Sequence, residues 1–133
     1  MTDKLTYLSG RWRDEAEKRL KMELDPEKMK HITSSMSNIY TNCPDGNDRY
    51  LFFGFRDGRL ETLSIGEGEP PEAEFRITGS YETFARISRA ELGSQRALMT
   101  GKLKLKGNMV KALKLASIAD RLNKVLATIP AAY

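Results

Sequence analysis

The sequence predicts an α+β fold: a five-stranded, mainly antiparallel sheet with helices covering one face. Short segments of alternating apolar and polar residues, separated by turn residues, occupy the middle of the chain and predict the strands. Apolar residues at helical spacing occur on both sides of this region and predict the helices. A chain of 133 residues is long enough to bury one hydrophobic core.

The composition is that of a folded protein, with 40% hydrophobic and 30% charged residues. The single cysteine excludes an internal disulfide, and the single histidine excludes a histidine-cluster zinc site. We therefore expect neither a metal nor a cofactor. The first residues contain no apolar stretch typical of a signal peptide, and no apolar run approaches the ~18 residues of a membrane span. We expect a cytoplasmic location.

Basic residues are concentrated in the C-terminal part of the chain. The net charge is +4, and residues 76–133 hold 11 basic and 3 acidic side chains. This asymmetry favours an anionic partner, such as a transiently bound anionic membrane surface, although solvated charge is the alternative. Nucleic acid is not expected, because aromatic residues do not interleave the lysines. The candidate membrane-docking residues are Lys102, Lys104, Lys106, Lys114, Arg121 and Lys124.

The N-terminal third is predicted to be helical. A helix is expected from Gly10 to Leu24 with Ser9 as its N-cap, because apolar residues recur there every four positions. Asp25 followed by Pro26 predicts a second short helix through His31. We assign residues 1–35 to an N-terminal helical segment packed on a domain of residues 36–133, the whole forming one globular unit.

The middle of the chain predicts four strands, and a fifth follows later. A turn with positive φ angles is expected at Asp57-Gly58, and an exposed loop at residues 66–71. Short links between successive strands predict an antiparallel meander. In the fifth strand the lysines share one face and the leucines the other. The predicted strands are residues 37–43, 50–56, 60–65, 74–78 and 102–106.

Three helices are predicted to cover this sheet. Ser80 can cap a helix that carries Phe84, and Ser94 can begin a shorter helix that Gly101 ends. Asn108 can cap a final amphipathic helix. The apolar arc of that helix comprises Leu115, Ile118, Ala119, Leu122, Val125, Leu126 and Ile129.

Catalytic motifs are weak in this sequence. His31 and the neighbouring serines lie on one segment, which does not create the geometry of a nucleophile and its base. Cys43 is interpreted as a buried structural thiol, since neither a second cysteine nor a nearby histidine accompanies it. The glycines at 101 and 107 do not form a phosphate loop, because Asn108 stands where that motif requires lysine. We therefore expect a protein that is not an enzyme.

Residues 97–115 resemble the signature of the sterol carrier protein 2 (SCP-2) family. That signature is a small helix, then Gly-Lys-Leu-Lys-Ile-Lys-Gly-Asn/Asp, then a helix with Ala-x-Lys-Leu. Here Gly101 to Asn108 reads Gly-Lys-Leu-Lys-Leu-Lys-Gly-Asn, and Ala112-Leu113-Lys114-Leu115 follows. The resemblance is strong in this stretch and weaker over residues 36–126. Many members carry Gly-Lys where this chain has residues 89–93, and the last residues do not read Ser-Lys-Leu, the peroxisomal signal.

The resemblance implies an apolar tunnel between the sheet and the helices. It also implies non-catalytic binding, and transfer, of long-chain lipids: fatty acid, fatty acyl-CoA, phospholipid or sterol. The alternative is a protein-interaction module without a ligand, in which the same apolar layer is a packed core. Composition does not distinguish these alternatives. The residues expected to line the tunnel are Phe53, Phe55, Phe84, Leu98, Met99, Leu103, Leu105, Met109 and Leu113.

Overall fold

A computed structural model describes residues 4–133, which form seven strands and five helices. This arrangement confirms the predicted α+β class. The strands are β1 (Leu5–Thr6), β2 (Ser34–Thr41), β3 (Arg49–Arg56), β4 (Arg59–Glu67), β5 (Phe75–Ser80), β6 (Leu103–Lys106) and β7 (Ala131–Ala132). The helices are α1 (Gly10–Glu23), α2 (Tyr81–Ser88), α3 (Ser94–Met99), α4 (Met109–Lys114) and α5 (Ala116–Leu126).

The main sheet has five strands in the order β4-β3-β2-β5-β6, so β2 is central. Its pairs are antiparallel except for β2 and β5, which run parallel. The predicted meander is therefore wrong after β4, because β5 adds to the far side of β2. The connecting residues cross the outer face of the sheet, where the Ser37 hydroxyl donates to the Pro71 carbonyl at 2.9 Å. The Glu74 amide then donates to the Ser35 hydroxyl at 2.9 Å.

The turn between β3 and β4 forms at Asp57 and Gly58, as predicted. Their φ angles are 51° and 78°, the left-handed values of a two-residue hairpin turn. Gly58 is required for a second reason, since a Cβ there would lie 2.7 Å from the carbonyl oxygen of Pro26. This contact seats residues 25–31 against the hairpin.

The helix α1 begins where the sequence predicts it. The Ser9 hydroxyl accepts a hydrogen bond from the Trp12 amide at 3.2 Å. Trp12, Ala16 and Leu20 are fully buried and belong to the same core as the sheet. The strand β1 pairs in parallel with β7, which joins the N-terminal segment to the C-terminal part of the chain. Residues 1–3 of the assigned N-terminal segment lie outside the described residues.

Two predicted helices differ from the structure. Residues 26–31 form turns instead of a helix, because Lys30 and His31 adopt positive φ angles of 54° and 49°. The final helix is divided at Leu115, where ψ is 0°. Neither proline nor glycine marks this break in the sequence. Within residues 4–133, every helix is too short or too polar to cross a membrane.

Candidate functional site

A cavity, partly open to solvent, lies between the inner face of the sheet and the helices. Its volume is about 100 Å³. The sheet contributes its floor and the helices its roof, so the cavity follows directly from the layer arrangement. Its floor includes Met36, Asn38, Leu51, Phe53, Ile77 and Leu103, and its roof includes Phe84, Ile87, Leu98, Leu115, Ile118 and Leu122.

The wall of this cavity is mostly apolar and carries no charged side chain among the described residues. Among residues 4–133, the side chains that line it include neither a carboxylate nor a basic group. An apolar molecule that enters the cavity exchanges contact with water for contact with hydrocarbon, which is favourable. A charged group would find no partner there, and burial of an unpaired charge is costly.

Five of the nine residues expected to line a tunnel do line the cavity. They are Phe53, Phe55, Phe84, Leu98 and Leu103. Alternation along β3 places Phe53 and Phe55 on the inner face, and the same rule places Leu103 of β6 there.

The other four expected residues do not line the cavity. Met99 is 72% exposed and Met109 is 44% exposed, since each stands at the end of a six-residue helix that turns it toward solvent. Leu105 lies near the end of β6 beside a shallow groove on the outer face of the sheet. On α4 the chain presents Ala112 to the cavity in place of Leu113.

Sequence reasoning did not select the central strand β2. Met36, Asn38 and Tyr40 occupy alternate positions of this strand, and all three line the cavity. The alternation was visible in the sequence, but the polar Asn38 interrupts it. The apolar arc of α5 was recognised as a face of a helix, although its role as the cavity roof depends on packing that periodicity does not give.

Buried hydroxyl groups form a cluster beside the cavity. The Tyr7 hydroxyl lies 2.9 Å from the Tyr40 hydroxyl and 2.7 Å from the Ser88 hydroxyl. Burial raises the pKa of both tyrosines above its ordinary value. A second hydrogen-bonded pair lies in the roof of the cavity, where the Asn123 side-chain amide donates to the Ser94 hydroxyl at 3.1 Å. These groups therefore satisfy one another.

The short helix α4 covers one side of the cavity, and Ala112 is its residue that lines the cavity. None of the residues described in α4 is buried, and Val110 is 64% exposed. An ion pair joins Lys111 to Glu74, and the Ser34 hydroxyl donates to the same carboxylate. The Lys111 ammonium, followed by the Ser34 hydroxyl, lowers the pKa of Glu74. This ion pair fastens α4 to the strand side of the cavity.

The six candidate docking residues are all exposed but lie on different surfaces. Lys104 and Lys106 pair in register with Thr78 and Arg76 and point away from the helices. Arg121 and Lys124 lie on the outer arc of α5, on the other side of the molecule. One flat surface therefore cannot contact both groups.

The residues considered for catalysis are separated. His31 pairs with Asp57 at 3.0 Å in an exposed position, while the hydroxyls of Ser34 and Ser35 interact with Glu74. Cys43 is buried, and burial raises the pKa of its thiol. In the described part of the chain, these groups do not assemble a nucleophile with its base.

An α+β domain with an uncharged, mostly apolar cavity between its sheet and its helices has the architecture of a binding domain for an apolar small molecule. The model of the SCP-2 sterol transfer family matches residues 14–120. The chain therefore belongs to this family, as its sequence resemblance predicted. Membership supports lipid binding or transfer as its function.

Similar proteins share this fold or part of this sequence. A crystal structure of sterol carrier protein 2 matches with a TM-score of 0.80 at 22% identity, covering 92% of this chain and 98% of the other. Non-specific lipid-transfer protein-like 1 of Caenorhabditis elegans is 34% identical over 64 residues, 48% of this chain and 54% of that protein. Hydroxysteroid dehydrogenase-like protein 2 of Bos taurus is 36% identical over 73 residues, 54% of this chain. The matched region is 18% of that protein.

Proposed function

We propose that this chain binds a long-chain lipid non-catalytically in the cavity and releases it to a second site. Family membership supports lipid binding in general, and the uncharged apolar wall supports an aliphatic chain as the occupant. Each buried methylene contributes about 0.8 kcal/mol of transfer free energy, so a chain of about 16 carbons supplies roughly 12 kcal/mol before association costs. Those costs leave affinities on the order of micromolar.

The cavity must widen when such a chain enters. Its volume of about 100 Å³ is below the roughly 300–1,000 Å³ of pockets that hold drug-sized ligands. The helix α4 is the part of the roof that can move, because none of its described residues is buried. We therefore assign lipid entry to the side of the cavity beneath α4.

Displacement of a fluorescent fatty acid tests this proposal with two adjacent residues. Leu98 lines the cavity, whereas Met99 on the same helix is 72% exposed. Leu98→Glu should lower affinity about tenfold or more, because it places a carboxylate in the uncharged wall. Met99→Glu should bind as the unchanged chain does. Far-UV circular dichroism of both variants verifies that they are folded.

The competing function is a protein-interaction module whose apolar layer is a packed core. In that case the unchanged chain would show no saturable binding up to the solubility limit of the probe. Native mass spectrometry of the purified protein provides a second test, since a lipid carrier should retain lipid through gentle extraction.

We further propose that the outer face of β6 docks on anionic membranes. Lys104 and Lys106 share this face with Arg76, which pairs with Glu69 at 3.6 Å, around a shallow groove that Asp48 also lines. Each basic group near an anionic surface contributes about 1 kcal/mol, and the attraction decays within ~8 Å at physiological salt. Contact should therefore be weak and reversible, as loading of a carrier requires. Exchange would take place in the cytoplasm.

Co-sedimentation with phosphatidylserine-containing vesicles tests the docking face. Replacing Lys104 and Lys106 by glutamine should abolish binding, whereas replacing Arg121 and Lys124 should preserve it. Equal binding to phosphatidylcholine vesicles would contradict this docking face. So would loss of vesicle binding when Arg121 and Lys124 are replaced but not when Lys104 and Lys106 are.

A further inference from the structure

One polar group stands unpaired in the floor of the cavity. Asn38 lies on the central strand β2, and its side chain lines the cavity although only 8% of the residue is exposed. In register, its neighbours are Leu51 on β3 and Ile77 on β5, which also line the cavity. An amide therefore sits in the middle of an apolar sheet face.

The carbonyl oxygen of this amide lacks a partner. Within residues 4–133, Asn38 Oδ1 is buried and accepts no hydrogen bond. The amide NH₂ side of Asn38 faces the Tyr40 hydroxyl, which also pairs with Tyr7, and Ser94 pairs with Asn123. Desolvation of an unpaired acceptor is unfavourable, so buried polar groups in folded proteins are almost always satisfied. A molecule in the cavity would supply the missing donor.

We propose that Asn38 is an internal hydrogen-bond acceptor that selects lipids bearing a neutral hydroxyl group. The unpaired oxygen requires a donor, and the uncharged wall requires that the donor group carry no charge. A carboxylate cannot donate and would lie without a counter-ion. Aliphatic alcohols and other hydroxylated lipids satisfy both conditions, as do protonated fatty acids.

Displacement of water increases the preference for a hydroxylated ligand. A chain that enters the cavity must displace any water that donates to Asn38 Oδ1. Displacing an ordered water by a group that cannot reproduce its hydrogen bond lowers affinity. A ligand hydroxyl replaces that bond, whereas a purely apolar chain leaves the acceptor unpaired.

This inference rests on the proposed function, and matched ligands separate the two. Dodecanol and dodecyl methyl ether have the same chain, but only the alcohol donates. The unchanged protein should bind the alcohol about tenfold more tightly, equivalent to about 1.4 kcal/mol. In Asn38→Leu, which is similar in size and lacks the acceptor, this preference should disappear while ether binding remains.

The outcomes are distinct. If neither ligand displaces a fluorescent probe from the unchanged protein, the proposed function fails. If both bind with equal affinity, or if Asn38→Leu retains the preference, the role of Asn38 is overturned. If Asn38→Leu does not fold, the test is made on the unchanged protein by measuring the side-chain carbonyl ¹³C resonance of Asn38. That resonance should shift with dodecanol and not with the ether, and equal shifts would contradict the proposal.

Discussion

The hydroxyl of Tyr7 lies 2.9 Å from the hydroxyl of Tyr40, although 33 positions separate the two residues in sequence. Tyr7 also contacts Ser88 at 2.7 Å. The N-terminal segment is therefore hydrogen-bonded to the central strand and to α2, the two elements on opposite sides of the cavity. This cluster couples the N-terminal segment to the cavity wall.

Removal of the Tyr7 hydroxyl should destabilise the protein. Tyr7→Phe leaves the buried hydroxyls of Tyr40 and Ser88 without their shared partner, at a cost of about 1–3 kcal/mol in the free energy of unfolding. Urea unfolding followed by circular dichroism measures this change. Tyr50→Phe is the control, because Tyr50 is half-buried on the outer face of β3 and should change stability much less.

Stability should fall in alkaline solution. Burial raises the pKa of Tyr7 and of Tyr40 above the ordinary 10.0, which favours the neutral phenols in the folded state. Their contribution is complete below about pH 10 and is lost as the pH rises above it. Thermal unfolding midpoints between pH 8 and 11 should show this loss. Phenolate absorbance of these two tyrosines that rises before unfolding would contradict the prediction.

Loss of the α4 ion pair should accelerate lipid exchange. Lys111→Met removes the contact with Glu74 that fastens α4 beside the cavity. We expect dissociation of a bound fluorescent fatty acid to be several-fold faster, measured by stopped-flow transfer to acceptor vesicles. Lys114→Met is the control, because Lys114 is exposed on the same helix. Equal rates in the two variants would exclude α4 as the entry side.

Acidification should also accelerate lipid release, because protonation of Glu74 removes the same ion pair with Lys111. The pKa of this carboxyl is lowered from 4.5 in the folded state by Lys111 and then by Ser34. The stabilisation is therefore present above about pH 4.5 and is lost as the pH falls through the lower folded pKa. Release of dodecanol, which does not titrate in this range, should accelerate there, and Glu74→Gln should be fast at every pH. A pH-independent rate in the unchanged protein would contradict this.

The sequence predicted local structure correctly at two helix caps and at one hairpin turn. Ser9 and Ser80 cap their helices as expected, and Asp57-Gly58 adopts the hairpin turn. The order of strands was not predictable in this way. A link of seven residues between β4 and β5 is compatible with a hairpin and with a crossover, and hydrogen bonds of Ser37 and Glu74 to partners across the sheet decide between them.

The cavity was predicted less completely than the fold. Alternation placed Phe53 and Leu103 on its floor, because strand periodicity alone determines the inner face. Met99 and Met109 were misplaced, since the ends of short helices depend on where neighbouring elements pack. Asn38 was missed because a lone polar residue in a strand gives no sign of burial until the sheet and its cover are assembled.

The parallel pairing of β2 with β5 has a consequence for folding kinetics. The bond between Ser35 and Glu74 closes a separation of 39 positions, whereas the hairpin of β3 and β4 turns over two residues. Formation of contacts between distant residues requires closure of a long loop and slows folding. We expect the β2-β3-β4 hairpins to form first and β5 to join later. The floor beneath a bound lipid would then be among the last parts of the molecule to form.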